Sequence, residues 1–287
     1  MSKHVLVTGS STGIGRACAL HLAERGWIVH AGVRKAGDGE SLKRDSAGAV
    51  RGIVVDITEE ASVAAAAREI ESRVGSAGLS GLVNNAGTCV AGPVETVSMG
   101  EWRRQFEVNF FGHIAVTQAM LPLLRIAAES GHAAVVMMSS IAGRIGQPTL
   151  GPYCASKFAM EAMADALRCE VAGQGIRVSI LEPGAIRSEI WRKAIEDGRR
   201  GETEQPERYR VLVKGVARLA EEAEKRAIPA AKVAGEVERC LTLARPPIRR
   251  LIGMDARMSA WMVRVMPRGV FDRLIVKVMT RAGRAES

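Results

Sequence analysis

A tyrosine and a lysine, Tyr153 and Lys157, stand four residues apart in a segment with a helical pattern, and Pro152 is typical of a helix start. Residues four apart share one face of a helix. We expect the ammonium to lower the pKa of the phenol from about 10 toward neutrality, which makes the tyrosine a usable general acid/base. Two serines, Ser139 and Ser140, end the preceding apolar run, and a hydroxyl there could polarise a substrate oxygen. A tyrosine followed by a lysine one turn later is also common on protein surfaces. The surrounding sequence therefore has to show whether this pair belongs to an active site.

The elements that must position this pair begin at the N-terminus. A strand-like run at 3–8 is followed by glycines at positions 9, 13 and 15 and by a helical pattern from Arg16 to Arg25. Gly9, Gly13 and Gly15 permit a tight turn that aims backbone N–H groups and the positive end of a helix at an anion. Such a turn between the first strand and the first helix favours the pyrophosphate of a dinucleotide.

The second strand-like run, 27–33, ends in Val33 and is followed at once by Arg34 and Lys35. In dinucleotide-binding folds an acid at this position binds the 2′-hydroxyl of NAD, whereas a cation accommodates the 2′-phosphate of NADP. The sequence therefore favours NADP(H), with NAD(H) possible. The alternative is that two basic residues only solvate a loop.

Further apolar runs at 53–55, 79–83, 135–138 and 176–181 alternate with helical patterns, the longest at 101–128. This alternation predicts an α/β fold with a doubly wound, Rossmann-like parallel sheet, helices on both faces, and ligands at the carboxyl ends of the strands. Polar clusters stand at those ends: Asp56-Ile57-Thr58, which we expect to carry a helix cap, Asn84-Asn85-Ala86-Gly87 and Glu182-Pro183-Gly184. The two asparagines could equally lock a turn.

With 287 residues and 47% apolar composition, the chain can bury a large core. No linker or repeat divides it, so we predict one catalytic domain over 1–253, with a charged helical lid at about 186–228 and a C-terminal tail over 254–287. The absence of a run of 18 apolar residues, and a strand-like sequence directly after Met1, favour a cytoplasmic protein that does not span the membrane. Five cysteines and five histidines form neither a Cys-x-x-Cys pair nor a His-Glu-x-x-His motif, so no disulfide framework and no metal site are indicated.

The formal charge of +9 is concentrated at the C-terminus, where ten Lys/Arg and three acidic residues follow from position 245 and leave a net +7. Within this tail, 255–280 predicts two amphipathic helices that cover the substrate mouth and are separated at Pro267. Their apolar positions are Met258, Trp261, Met262, Val265, Met266, Val270, Phe271, Leu274, Ile275, Val278 and Met279. These faces either pack on the domain, or make a peripheral contact with an anionic membrane or a partner subunit.

Taken together, these motifs resemble the short-chain dehydrogenase/reductase family over roughly residues 3–253. The matching elements, in order, are Thr8-Gly9-Ser-Ser-Thr-Gly13-Ile14-Gly15, Asn84-Asn85-Ala86-Gly87, Asn109, a serine thirteen residues before the tyrosine, Tyr153-Cys-Ala-Ser-Lys157 and Pro183-Gly184. Each motif is modest alone, whereas their order and spacing are highly specific.

The resemblance implies a catalytic tetrad of Asn109, Ser140, Tyr153 and Lys157. Tyr153 would exchange the proton with the substrate oxygen, Ser140 would hydrogen-bond that oxygen, and Lys157 would hold the nicotinamide ribose. Asn109 would hold a water that links the lysine to solvent. Ser139 is chemically equivalent to Ser140, and only the family spacing selects the second serine.

The resemblance also implies a cofactor site. Its residues would be Gly9, Ser11, Thr12, Gly13, Ile14, Gly15, Arg34, Asp56, Ile57, Asn85, Ala86, Gly87, Tyr153, Lys157, Pro183, Gly184, Ile186 and Ser188. Asp56 would meet the adenine, and Ile186 and Ser188 would meet the carboxamide. Ser188 stands where the family more often has threonine, which keeps the hydroxyl in place.

A weaker resemblance, carried by 31–35, 141–145, 151–159 and the basic tail, is to the branch of retinol, hydroxysteroid and related lipid-alcohol dehydrogenases. It implies an apolar alcohol or carbonyl substrate, and the family implies a homodimer or homotetramer. No nucleic-acid partner is implied. One rival function is reduction of 3-oxoacyl thioesters on an acidic carrier protein, with Arg192, Lys193, Arg199 and Arg200 as a docking face. A second rival is a non-catalytic NADP-sensing binding protein, for which a complete tetrad would be unnecessary.

Overall fold

The computed structural model describes residues 3–131, 133–187 and 205–285. Its centre is a sheet of seven parallel strands in the order β3-β2-β1-β4-β5-β6-β7. The strands are β1 His4–Val7, β2 Ile28–Val33, β3 Val50–Val54, β4 Gly81–Asn84, β5 Ala133–Met138, β6 Ile176–Pro183 and β7 Arg249–Ile252. The doubly wound parallel sheet predicted from the sequence is confirmed.

Helices cover both faces of this sheet. They are α1 Gly13–Glu24, α2 Ala36–Asp45, α3 Glu60–Val74, α4 Met99–Phe106, α5 Gly112–Glu129, α6 Gly151–Glu170, α7 Glu207–Lys225, α8 Ala230–Thr242, α9 Met254–Val265 and α10 Arg268–Arg284. Helices α3, α5 and α6 bury apolar residues such as Ile70, Leu124 and Met160 against one face. Helices α1 and α8 bury Leu22 and Val237 against the other. Because both faces are covered, the strands read as continuous apolar runs.

The strand order reverses between β1 and β4, which pair in parallel with Val5 opposite Gly81. The chain runs outward from β1 to β3 and then returns to β4 and continues to β7 on the other side. In open α/β sheets, ligands bind at such a reversal, beyond the carboxyl ends of the strands. The glycine turn after β1 and the asparagines after β4 meet there.

The long helical pattern predicted at 101–128 is interrupted by one π-helical turn, Glu107–Phe111, between α4 and α5. The combined segment, Met99–Glu129, is long and apolar enough to cross a bilayer by length and composition. Its apolar character has another explanation, because Met120, Leu123 and Leu124 lie in the core.

One helix was not predicted, and one local expectation was wrong. A helix, α2, follows Arg34 and Lys35 directly and was not predicted, because it combines two glycines with charged residues and has no clear apolar stripe. Asp56 does not cap α3, whose N-cap residue is Glu59. Instead its Oδ1 accepts hydrogen bonds from the backbone N–H and the hydroxyl of Thr58, at 3.0 and 2.7 Å.

The C-terminal region completes the domain. Of the predicted lid, 188–204 lies outside the described residues, and 205–228 contains α7 and an isolated bridge that joins Ile228 to Ile186. The two helices predicted in the tail are present as α9 and α10, on either side of Pro267. Helix α10 lies so close to α7 that Gly215 and Gly283 meet backbone to backbone.

Candidate active site and cofactor site

The turn after β1 is built for close approach. Gly9 and Gly13 have φ angles of +66° and +56°, in the left-handed region that favours glycine. A Cβ on Gly15 would lie 2.2 Å from the Gly9 carbonyl oxygen, so a larger residue cannot fit. Helix α1 begins here without a side-chain cap and without an acid in its first turn. Its first N–H groups, flanked by Ser11, Thr12 and Ile14, therefore fit an anion such as a pyrophosphate.

Thr8 fixes this turn to the end of β4 and was missed by the sequence reasoning. Its hydroxyl accepts hydrogen bonds from the backbone N–H groups of Asn85 and Ala86, at 2.9 and 3.0 Å. The Asn85 amide donates in return to the Thr8 carbonyl at 2.9 Å. Asn84 is fully buried and donates to Thr117 at 2.8 Å. The side chains of both asparagines hold the scaffold, and Ala86 and Gly87 form the half-buried floor beside it.

Arg34 lies exposed beyond β2, and its charge acts on Asp56 at the end of β3. Partial burial acts to raise the pKa of Asp56, but the hydrogen bonds from Thr58 and the Arg34 charge outweigh it and leave this pKa below its ordinary value. Val33 is only 2% exposed and belongs to the core. Ile57 is also buried, and its side chain packs against Gly112 of α5. Arg34 is thus an exposed cation at the position where a 2′-phosphate is expected.

The structure brings Tyr153, Ser140 and Lys157 together. All three are buried, and the Tyr153 side chain is hydrogen-bonded to Ser140. The Ser140 hydroxyl also donates to the Pro183 carbonyl at 3.4 Å. The Lys157 ammonium donates to the Met138 carbonyl at 2.8 Å and lies 5.8 Å from the centre of the Tyr153 ring.

The ionisation of this group differs from the sequence-based expectation. Burial raises the pKa of Tyr153 above its ordinary value, with the nearby Cys89 adding to the shift and the Ser140 hydrogen bond opposing it. Burial lowers the pKa of Lys157 to about 8, while the charges of Glu161 and Cys89 act against the shift. The expected lowering of the tyrosine pKa by Lys157 is wrong for this arrangement, because desolvation exceeds the effect of the ammonium. At neutral pH the phenol therefore holds its proton.

Asn109 lies in the π-helical turn, and its side chain is used for structure. Its amide exchanges two hydrogen bonds with the Thr88 backbone, at 2.8 and 3.0 Å, and donates to Ser156 at 3.3 Å. It therefore connects the loop after β4 to α6. The buried His113, one turn further along at the start of α5, bonds the Ala86 carbonyl at 2.8 Å. Burial, aided by the charge of Lys157, lowers the pKa of His113 to about 3, so this ring stays neutral.

The geometry distinguishes the two serines that the residue types left equivalent. Ser140 lines the cavity beside Tyr153. Ser139 lies away from it, since a Cβ on Gly143 would come within 2.7 Å of its hydroxyl oxygen and 3.2 Å of a Glu161 carboxylate oxygen. The favoured candidate for contact with a substrate oxygen is Ser140.

A charged cluster behind the site was also missed. The Arg249 guanidinium donates to Glu161 at 3.0 Å and to Asp165 at 2.5 Å, and lies 3.9 Å from the fully buried Glu182. Arg144, which follows the Ser140 turn, pairs with the same Glu182 at 2.8 Å. The only sequence signal was the spacing of acids at positions 161 and 165, which continues the face of Tyr153 and Lys157 along α6.

A cavity of about 280 Å³ opens at Ser140. Gly184 and Ile186 line it, whereas Pro183 lies next to it at the end of β6, and Ser188 lies outside the described residues. One face of α7 forms its opposite wall, with Val213, Val216, Ala217, Leu219, Ala220, Ala223 and Glu224, and Ala227 follows just beyond the helix. Asp255, Ser259 and Met279 add contacts from α9 and α10. The lining is mainly apolar, with Ser140 among its few polar groups.

Comparisons with known proteins show the family to which the chain belongs. A model of the short chain dehydrogenase family matches residues 3–199. The NADPH-dependent 3-dehydrocapnine reductase of Ornithobacterium rhinotracheale is 35% identical over 277 residues, which cover 96% of each chain. Human retinol dehydrogenase 5 is 41% identical over 187 residues, 65% of this chain and 57% of that protein.

Among solved structures, a short-chain dehydrogenase from Streptomyces avermitilis is 27% identical and superposes with a TM-score of 0.79 over 100% of this chain and 99% of that one. The match therefore includes the sheet, the glycine turn and the C-terminal helices together. With the family model and a relative alignable over nearly the whole chain, the protein belongs to the short-chain dehydrogenase/reductase family of NAD(P)-binding oxidoreductases.

Proposed function

We propose that this protein interconverts a bulky apolar alcohol, primary or secondary, and its aldehyde or ketone, with NADP(H) as the preferred cofactor. The observation that carries the proposal is Ser140, which lines an apolar cavity and is hydrogen-bonded to the buried Tyr153. A donor pair of this kind binds one oxygen atom of a substrate and surrounds its carbon with apolar groups.

Each of the four residues of the proposed tetrad has a role in this reaction. The Tyr153 hydroxyl gives its proton to the carbonyl oxygen in reduction and takes it back in oxidation. Ser140 donates a hydrogen bond to the same oxygen as negative charge develops on it. Lys157 holds positive charge next to the tyrosine and binds the nicotinamide ribose, and Asn109 fixes the loop beside α6. The bound cofactor supplies or accepts the hydride.

The cavity supports an elongated substrate. The lining residues of α7 run from Val213 to Glu224, a distance of about 16 Å along the helix axis. Most of them are alanine or valine, whose small side chains leave a groove along the helix. A steroid, a retinoid or a lipid-like chain fits a groove of this length and polarity.

NADP(H) is supported by Arg34 and by the absence of an acid at the buried Val33. The relative from Ornithobacterium rhinotracheale is named for its dependence on NADPH. An exposed cation at the end of β2 attracts the 2′-phosphate and makes no comparable contact with the 2′-hydroxyl of NAD.

Two alternative functions can be distinguished from this proposal. For 3-oxoacyl-thioester reduction, the basic docking face of Arg192, Lys193, Arg199 and Arg200 lies outside the described residues, so competition by an acyl-carrier protein is the direct test. A cofactor-sensing protein would have no need for a Tyr153 hydroxyl hydrogen-bonded to a serine that lines a substrate cavity. Our proposal includes a cytoplasmic homodimer or homotetramer that can associate peripherally with a membrane.

The test replaces Tyr153 by Phe and measures turnover of steroids, retinoids and long-chain alcohols with both cofactors. Loss of the proton-transfer group is expected to lower kcat by about 10²- to 10⁴-fold and to leave cofactor affinity nearly unchanged. The chain has only one other tyrosine, Tyr209, whose hydroxyl bonds Glu95 on the surface at 2.6 Å. Tyr209→Phe is therefore the matched control. Near-native turnover by Tyr153→Phe would contradict the proposed acid/base.

A further inference from the structure

One face of α9 presents four large apolar side chains to solvent. Met254, Met258, Trp261 and Val265 are 73%, 53%, 59% and 52% exposed. Their spacing of four, three and four residues places them in one stripe along the helix. Exposed apolar residues are usually scattered singly over a monomer, and a continuous stripe with a polar rim marks a binding surface.

The two borders of this apolar stripe differ. Arg257 and Arg264 follow it on one side of the helix and are exposed. On the other side, Asp255 and Ser259 line the substrate cavity. The stripe therefore lies between basic residues and the residues through which α9 lines the cavity.

Helix α10 is arranged differently. Its apolar residues Phe271, Ile275 and Met279 lie on the face that packs toward the domain; Phe271 is 4% exposed and Met279 lines the cavity. Its outer face is basic, with Arg273, Lys277, Arg281 and Arg284. Three valines of α10, Val270, Val276 and Val278, are also 48%, 49% and 45% exposed, but the larger exposed apolar side chains of the tail belong to α9.

We propose that α9 lies on the surface of an anionic membrane, with its apolar stripe inserted between the lipids and with Arg257, Arg264 and the basic face of α10 near the phosphates. An anionic bilayer matches both components of this surface, because it offers an apolar interior beneath a layer of negative charge. The substrate then reaches the cavity directly from the bilayer, past Asp255 and Ser259. The entry route rests on the proposed function, whereas membrane binding does not.

Point substitutions test the binding. Removal of all residues after Gly253 would also remove Asp255, whose carboxylate accepts a hydrogen bond from the Ala185 N–H at 2.6 Å, and would uncover α7. We therefore choose Trp261→Glu in the full-length protein. The control is Val54→Glu, because Val54 is 52% exposed on β3, at the opposite edge of the sheet.

Sedimentation with phosphatidylcholine vesicles, with and without phosphatidylserine, measures the affinity. We expect the native protein and Val54→Glu to bind the anionic vesicles, high salt to weaken binding, and Trp261→Glu to lose about tenfold or more in affinity. Brominated acyl chains are expected to quench tryptophan fluorescence in the native protein and much less in Trp261→Phe. Equal binding by Trp261→Glu and the native protein would overturn the proposal.

A second copy of the chain is the competing occupant of the stripe. If Trp261→Glu dissociates an oligomer in analytical ultracentrifugation and the native protein ignores vesicles, the stripe is a subunit interface and the membrane proposal is wrong. Because none of these measurements uses turnover, they stand apart from a failure of the proposed reaction. Substrate entry from the bilayer predicts a further effect: Trp261→Glu slows turnover of vesicle-dissolved substrates and leaves soluble ones unchanged.

Discussion

Replacement of Lys157 by Met tests the electrostatics of the active site through protein stability. In the folded protein without ligand, burial lowers the pKa of Lys157 from 10.5 to about 8. Between these two values the unfolded chain binds one more proton at this residue than the folded protein does. The free energy of unfolding therefore rises with pH across this window, because deprotonation removes the cost of a buried charge.

The expected size follows from the two pKa values. They differ by about 2.5, and each pH unit between them is worth about 1.4 kcal/mol, so the full contribution is about 3 kcal/mol. From pH 7 to pH 10 the contribution should reach about 2–3 kcal/mol. Buried groups of other types oppose it in the same window: burial raises the pKa of Cys18 to about 12 and raises that of Cys154, Cys240 and Tyr153.

These opposing groups occur in both proteins, so the difference between the native protein and Lys157→Met isolates the lysine. The assay is urea unfolding of both, followed by circular dichroism at half-unit steps from pH 7 to pH 10 without cofactor. Over this pH range, the free energy of unfolding of the native protein is expected to rise by about 2–3 kcal/mol relative to that of Lys157→Met. A difference that stays flat would show that the ammonium is not desolvated, and our account of the Lys157 pKa would be wrong.

Two further predictions concern the cofactor and the charged cluster. Arg34→Gln is expected to raise the KM for NADP by roughly ten- to a hundredfold and to leave the KM for NAD nearly unchanged, since a charge-assisted contact is worth about 1.5–3 kcal/mol. The control is Lys35→Gln, because Lys35 is also exposed. A native KM that is lower for NAD than for NADP would contradict the role of Arg34. Arg249→Met leaves the 10%-exposed Glu161 without its partner and should destabilise the protein by about 2–3 kcal/mol in thermal unfolding. The control is Arg168→Met, which removes a surface pair and should lower the stability by under about 1 kcal/mol. Equal effects of the two substitutions would show that burial of the cluster is unimportant.

The fold was predictable because its signals are local. Each strand is a short apolar run between turn residues. Because both faces of a parallel sheet are buried, its strands are recognised as continuous apolar runs and need no alternation of apolar and polar residues. The glycines at positions 9, 13 and 15 have functions that other residues cannot supply, so their types alone indicated the turn. Helix α2 was missed because two glycines and five charged residues gave it no apolar period.

The site was harder to predict, because its properties arise from burial and from distant pairs. Proximity of Tyr153 and Lys157 correctly indicated their shared face, but the sign of the tyrosine pKa shift depends on desolvation by residues far along the chain. Thr8 contacts Asn85 across 77 positions, and Arg249 contacts Glu161 across 88. No spacing rule reveals such contacts. The residue types alone leave Ser139 and Ser140 equivalent, since both follow the same strand, and only the family spacing selected the second serine.

The distant pairs also explain how a buried site of this kind keeps its shape. Ser140 belongs to a turn, Tyr153 to a helix and Pro183 to a strand end, so their geometry depends on three separate elements. Glu182 adjoins Pro183 and receives Arg144 from the turn, while Arg249 reaches toward it from β7 and binds Glu161 and Asp165 on the helix. The carboxylate of Glu182 is fully buried, and its burial acts to raise its pKa. A buried carboxylate of this kind is tolerated only while both guanidinium groups stay in place, because loss of one leaves charge uncompensated in the interior. The cluster thus couples the position of the turn to that of the helix, which is what a hydrogen bond between Ser140 and Tyr153 requires.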